Sequence, residues 1–255
     1  MLRTVRAWLA LVWISFVRLL WSSNTWIVLL PLAGCLLYLL RRRYGAVGYS
    51  EAEFQKFSVF LMQVYVSIVL PLCVLAFSAG SISGDREDRT LLFVLVRPLA
   101  RPLVLLAKVA ATVPLALGLA IGSFGLFCRL AGQVGAAAYA DFLPAIILTT
   151  LAYVALFHVF AVAWRHAAIV ALLYSLVFEL LLGHAPGIIK RVAVNYYGRA
   201  MMVAAGQADG LQPPDPQWFE PLDPAVAGWT LVGISLASLA VAAVVFARRE
   251  YHDLS

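Results

Sequence analysis

Six apolar stretches, each about as long as a bilayer is thick, recur along the chain and leave it few ways to fold. They run over about 22–40, 57–83, 103–128, 142–164, 167–183 and 225–247; Glu179 and His158 lie well inside, and Lys108 marks the edge of the third. A helix needs roughly 20 apolar residues to cross the hydrocarbon core. Within that core only a helix or a closed barrel satisfies the backbone's own hydrogen-bonding groups. Stretches of this length and continuity are helical. The expected fold is therefore an all-α polytopic membrane protein. Composition excludes the soluble alternative: 63% of the 255 residues are hydrophobic and 13% are charged, with a mean hydropathy of +0.91, whereas a soluble domain carries about 25% charged residues to keep its surface wet.

The net charge of +6 does not mark a nucleic-acid binder. The 19 Lys and Arg side chains sit mostly at the edges of the apolar stretches, where lipid headgroups and the cytosol meet them, and they form no stripe along a polar face. Cys35, Cys73 and Cys128 all lie inside apolar stretches, and three thiols buried in this way make no disulfide framework.

Residues 1–21 read differently from the rest. Arg3, Arg6 and Arg18 fall on one arc of a helix, with Leu9, Val12, Phe16 and Leu20 facing away. This is the pattern of an amphipathic helix lying in the membrane interface. A signal peptide is the rival, but Arg18 and Trp21 stand where small residues should precede a cleavage site. Six spans put both termini on one side. The cytosolic side is expected to hold them, because that arrangement places more Lys and Arg in cytosolic segments, although Arg41, Arg42 and Arg43 then fall outside. Outer residues 184–224 form the longest connection. Its second half is rich in proline, from Pro213 to Pro224, while 188–204 suits a helix on or in the outer leaflet.

The most informative stretch joins spans two and three, from Gly84 to Arg101. The charges predict a helix exit near Ser83, which caps a new short helix with Asp85, Glu87 and Asp88 in its first turn, where the dipole favours acids. Asp85 and Arg89 are spaced to pair, Thr90–Val96 is apolar on most sides, and Pro98 and Pro102 stop the helix. A short helix lifted off the membrane with an apolar tip suits a groove on a cytosolic partner. The plainer alternative is an ordinary juxtamembrane loop, yet topology alone calls for no acids.

Gly84-Asp85-Arg86-Glu87-x-x-Thr90-Leu91, followed by Arg97-Pro98-Leu99-x-Arg101 and Lys108, resembles the signature of permease subunits of type-2 ABC exporters. Asp85, Arg89, Ala100 and Ala107 stand where that pattern has Glu, Gly, Ser and Gly. Arg248-Arg249-Glu250-Tyr251 after the last span, and the plan of interfacial helix plus six spans, are also similar to that family. The resemblance implies a permease in the cytoplasmic membrane that is not itself an enzyme and moves an unidentified substrate outward. It implies that Gly84, Asp85, Arg86, Glu87, Asp88, Thr90, Leu91, Arg97, Pro98 and Arg101 form the surface gripped by a separate ABC ATPase subunit. It further implies a second permease copy, with ATP bound on the partner and no cofactor on this chain. In keeping with that, the sequence has no Gly-x-x-x-x-Gly-Lys-Ser/Thr phosphate cradle.

Two intramembrane polar residues stand apart from this motif. Glu179 lies near the middle of the fifth stretch, where an acid costs about 2.5–3.5 kcal/mol on insertion scales. It is a candidate for the substrate path or a gate, or else pairs with a neighbour such as His184. His158 is a candidate on the same ground, and a lone intramembrane histidine serves more often as a helix–helix hydrogen bonder than as a metal ligand. A metal site from Cys35, Cys73, Cys128, His158 and Glu179 would need residues scattered over five stretches to converge. Two other classes of function remain in view. A proton-coupled secondary transporter would use Glu179, and a membrane-embedded enzyme would need a nucleophile–base or metal motif; the sequence carries no such motif.

Overall fold

A computed structural model describes residues 2–42, 44, 48–87, 100–185, 187–213 and 222–248. Among them the regular structure is helical and there is no strand. The N-terminal helix α1 (Leu2–Leu20) is followed by α2 (Ser23–Arg42). Next comes a long rod of three parts: α3 (Glu51–Phe60), a π-helical stretch Leu61–Val69, and α4 (Leu70–Glu87). Then come α5 (Arg101–Leu130) and α6 (Gly132–Ala163). The next segment, α7 (Ala167–Tyr174), passes into a second π-helical stretch, Ser175–Leu181. Two 3₁₀ turns lead back into α8 (Val194–Gly206), and α9 (Pro224–Arg248) closes the bundle.

Four helical rods among the described residues are long and apolar enough to cross a membrane: Glu51–Ile82, Arg101–Leu130, Gly132–Ala163 and Pro224–Arg248. The first predicted stretch is the 20-residue α2, and the fifth is the shorter apolar helix Ala167–Leu181. At 1.5 Å per residue the latter reaches only about 22 Å. The chain turns back there instead of running on. The helix foreseen within 188–204 exists as α8, which packs against α6 and α9.

Three boundaries differ from the sequence expectation, each for a local reason. The fourth stretch was expected to begin after Asp141, but α6 starts at Gly132 and carries Asp141 inside it. Gly132, at φ +64, is the left-handed residue that lets α5 and α6 turn back on each other after Ala131 alone. At the charged connection, Ser83 does not open a new helix. α4 runs on through Ser83 and Gly84 to Glu87, so Asp85 and Glu87 sit in its last turns. No proline interrupts that stretch, and the neighbouring Ser81 hydroxyl bonds back to Ser78 O at 2.8 Å, which leaves the helix intact. Pro102 starts α5 instead of stopping a helix: it lies in the first turn, where its missing N–H costs nothing.

The rod Glu51–Glu87 contains Pro71, and the π-helical turns fall just before it. Widened turns are a usual way for a helix to absorb a lost backbone bond. Ser67 Oγ donates to Met62 O five residues back, at 2.8 Å. Tyr65 then ties this rod to α5 by donating to Ala120 O at 2.7 Å, with Ser123 Oγ at 2.9 Å. The last helix is capped conventionally. Asp223 Oδ1 accepts from Ala225 N at 2.8 Å and Pro224 occupies the first helical position.

The bundle is built around α6, which touches α4, α5, α8 and α9. Its apolar window is 67% inside the protein, against 17% for α9, so α6 is the axis and α9 a peripheral stave. α1 buries a narrow edge of Leu11, Ser15 and Leu19 and leaves Trp13 and Ile14 exposed; Trp21, just after it, is exposed too. Trp8 Nε1 donates to Leu103 O at 3.0 Å, which fastens α1 to the first turn of α5.

Candidate functional site

The most heavily hydrogen-bonded group in the apolar interior is Glu179. It sits in the π-helical continuation of α7 and is fully buried. Its carboxylate accepts from four donors. Tyr153 on α6 donates to Oε2 at 2.7 Å, and Tyr174 on α7 to Oε1 at 2.9 Å. The backbone amides of Val194 and Asn195 donate at 3.0 and 2.9 Å. These two amides open α8, where the first-turn N–H groups have no intrahelical acceptor. Ala193, at the capping position, offers no side-chain bond, so Glu179 caps α8 from another helix. A carboxylate has about four lone-pair sites. All are taken.

A second layer holds this clamp. Asn195 Nδ2 returns a bond to Glu179 O at 2.8 Å, and Asn195 Oδ1 accepts from Arg199 Nη2 at 3.4 Å. The buried Arg199 also donates to Gly183 O and lies in the field of Glu179. Two glycines make the close approach possible. A Cβ on Gly183 would come within 2.6 Å of Asn195 Oδ1, and one on Gly198 within 2.4 Å of Thr149 Oγ1 on α6. The arrangement welds the returning pair α7–α8 to the axial helix through polar bonds that lipid cannot replace.

His158, the other intramembrane candidate, belongs to a separate network. It is fully buried on α6, and Nδ1 lies 2.7 Å from Val154 O, which can only accept, so the proton is on Nδ1. Nε2 faces Ser81 Oγ at 3.2 Å. Ser81 has one proton to share between His158 and Ser78 O. Glu179 and His158 have no hydrogen-bonding partner in common. The structure does not bring them together in one polar site. What His158 does is tie α6 to α4 three residues before Gly84.

Of the residues singled out around the charged connection, Gly84, Asp85, Arg86 and Glu87 form the end of α4, and their side chains are outside the described structure. Asp88, Thr90, Leu91, Arg97 and Pro98 lie outside the described residues, as do Arg89 and the side chain of His184. Arg101 is exposed at the start of α5, where Nη1 reaches Ala247 O of α9 at 3.4 Å. The two helices that flank the connection therefore end beside one another and beside α1. They share an apolar cluster of Leu11, Ile82, Val104, Leu105, Ala107 and Phe246.

Among the described residues no group of three or more His, Cys, Asp or Glu side chains converges on a point that could hold a metal ion. Cys35, Cys73 and Cys128 are buried free thiols.

The family described as ABC-2 family transporter protein matches residues 27–251. The chain belongs to that family. It is a multi-pass membrane component of an ABC transporter, with no catalytic site of its own in the family's design. No relative is found among characterised proteins. The ABC-2 match spans everything from α2 to just beyond α9 and so covers the Glu179 clamp, the His158 tie and the charged connection together.

Tyr153, Tyr174, Asn195 and Arg199 were not foreseen as partners of Glu179. One signal was present: Asn195 and Arg199 are four residues apart on one helical face, inside a segment otherwise rich in apolar and small residues. The tyrosines carried no signal, because a buried tyrosine reads as core until its hydroxyl's partner is known.

Proposed function

We propose that this chain is the permease subunit of an ATP-driven exporter, and that a separate ABC ATPase subunit grips its cytosolic connection. The family match over residues 27–251 carries this reading. On it, α2, the rod Glu51–Glu87, α5, α6, α7 with its π-helical continuation, and α9 make six membrane segments. α1 then lies in the cytosolic interface, both termini are cytosolic, and the protein resides in the cytoplasmic membrane. The ATPase contacts Gly84, Asp85, Arg86, Glu87, Asp88, Thr90, Leu91, Arg97, Pro98 and Arg101. ATP is held by the partner, and this chain contributes no cofactor and no catalytic residue.

The packing supports such a lever. The ends of α4 and α5 that flank the connection share an apolar cluster with α1 and α9, and such side chains slide at little cost where lipid is an equal alternative. A push from ATPase closure would tilt these helices as a body. A second permease copy completes the path, and the open space beside Gly118 and Gly122 on α5 suits close helix approach between copies. Glu179, with every acceptor site used, serves as a clamp and not as a substrate ligand. That also argues against proton-coupled transport through Glu179, since a carrier carboxylate needs a route to water, and this one is sealed.

Affinity purification of this chain co-expressed with its ATPase tests the reading. Both should be retained from the membrane, and replacing Thr90–Val96 with a Gly/Ser linker, or changing Glu87→Ala, should release the ATPase while the permease stays in the membrane fraction. Retention of the ATPase by the linker variant, or labelling of a cysteine placed at Asp88 from outside intact cells, would reject it.

A further inference from the structure

Arg41 and Arg42 close α2, and with Arg43 next in sequence they make a run of cations for which topology gives no reason. Beneath them the structure has a groove of about 760 Å³ between α2 and the rod of α3 and its π-helical continuation. Arg42 and Lys56 line its rim. Its floor is apolar, made by Pro31, Val59, Val64 and Ile68, and one wall is Tyr38 stacked on Phe60 at 5.0 Å.

Gln63 is the unusual residue. It lies in the π-helical stretch, is exposed to the groove, and its amide has no hydrogen-bond partner among the described residues. It sits two turns below Lys56, about 10 Å along the helix. A primary amide left unpaired at that depth is costly, and widened helical turns are frequent at functional sites. Gln55, by contrast, is occupied: it exchanges bonds with the backbone of Gln212 at 2.8 and 3.2 Å.

We propose that this groove holds an anionic phospholipid of the surrounding leaflet. The headgroup phosphate sits between Arg42 and Lys56, the Gln63 amide donates to an ester carbonyl hanging below it, and an acyl chain lies along the apolar floor.

The charge balance at the rim favours an anion. Lys56 has a partner in Glu53 at 2.8 Å, but the pair is half exposed, and Arg42 lies over the Tyr44 ring, 6.0 Å from its centre. Burial, reinforced by the Tyr38 hydroxyl at 3.2 Å, pushes the Tyr44 phenol up to about 12, so Tyr44 adds no negative charge beside Arg42. The lipid chemistry also distinguishes this groove from the one lined by Gly122, Gly125, Leu126, Arg129 and Tyr139, which has one cation and no unpaired amide at depth.

Native mass spectrometry of the purified full-length chain, released from nanodiscs of mixed phosphatidylglycerol and phosphatidylcholine, tests the proposal. The wild type should retain phosphatidylglycerol over phosphatidylcholine by about tenfold. A cation near a lipid surface contributes about fivefold to the partition of an anionic lipid, so Arg42→Ala should lower retention by about that factor. Lys56→Ala should lower it less, because Glu53 already competes. Gly34 opens on the groove, with nothing within 4 Å of where a Cβ would sit, so Gly34→Trp or the smaller Gly34→Leu should expel the lipid without lowering Tm. Equal retention of the two lipids by the wild type, or retention unmoved by Arg42→Ala, overturns the proposal whatever the bulky variants do. So does a lipid-free wild-type dimer that Gly34→Leu splits, since a second copy would then be the occupant.

Discussion

The two ends of the bundle are held together by different forces. Around Glu179 the helices are joined by polar bonds: four donors on one carboxylate, then Asn195 and Arg199 behind them. At the end that carries the charged connection, α1, α4, α5 and α9 share an apolar cluster of Leu11, Ile82, Val104, Ala242 and Phe246, beside the Ser81–His158 bond and the Trp8 bond to Leu103 O. In a bilayer these are not equivalent. Apolar side chains exchange protein for lipid at little cost, whereas a hydrogen bond broken in hydrocarbon leaves both partners unsatisfied. On the proposed function, the first end is the one expected to resist separation and the second the one expected to slide. A protein driven from one end would need this asymmetry.

The largest effect should come from removing the clamp's centre. Glu179→Leu leaves two tyrosine hydroxyls and two backbone amides without acceptors, and strands Arg199. Breaking a buried charged network by deleting one member costs about 3–5 kcal/mol. Thermal unfolding in detergent should show the protein strongly destabilised or not recoverable. Glu179→Gln should fall between, because its amide oxygen keeps two of the four donors and its NH₂ can donate to the remaining tyrosine hydroxyl, which leaves one backbone N–H facing a donor. If Glu179→Leu melts like the wild type, the two ends are not held differently and the comparison fails.

A smaller but sharper effect is expected where α8 meets α6. Gly198→Ala puts a Cβ at 2.4 Å from Thr149 Oγ1, closer than any relaxed contact. Overpacking of this kind costs about 1–3 kcal/mol. Thr149 Oγ1 has no hydrogen-bond partner among the described residues, so Thr149→Ala alone should be nearly neutral. Combined with Gly198→Ala it should recover most of the loss. A double-mutant cycle with no coupling would mean that α8 is free to move away from the axis, which is the property assigned here to the opposite end.

How much of this could be read in advance depends on the kind of signal. The extent of α9, the all-helical class and the family motif were legible because each is local: an apolar run of sufficient length, or a charged pattern of fixed spacing. Glu179 was legible as a costly residue. Its partners were not, since Tyr153 is 26 residues away and Val194 and Asn195 contribute backbone groups that no side-chain pattern reveals. The expected break at Ser83 failed for a related reason. Capping residues are preferences for where a helix begins, and nothing in Ser83–Glu87 forbids one that has already begun. Asp141 misled in the opposite direction, because a charge marks a boundary for hydropathy but does not end a helix.

The finest test compares single hydroxyls at the two ends. Tyr153→Phe and Ser81→Ala each delete one hydroxyl bonded to α6 or contributed by it, the first to a carboxylate at 2.7 Å, the second to His158 Nε2 at 3.2 Å. Bonds to charged acceptors contribute about 1.5–3 kcal/mol and neutral ones about 0.5–1.5. Tyr174→Phe should resemble Tyr153→Phe but cost less, because the Tyr174 bond is longer and only partly buried. Ser81→Ala should cost the least, since the serine divides its one proton between two acceptors and Ser78 O is a helix carbonyl with its own backbone partner. Chemical unfolding of the three variants in one detergent should therefore rank them Tyr153→Phe, Tyr174→Phe, Ser81→Ala. A reversed order would mean that the His158 tie, and not the Glu179 clamp, is the stronger fastening on the axial helix, and the rigid end of the bundle would then be the one beside the charged connection.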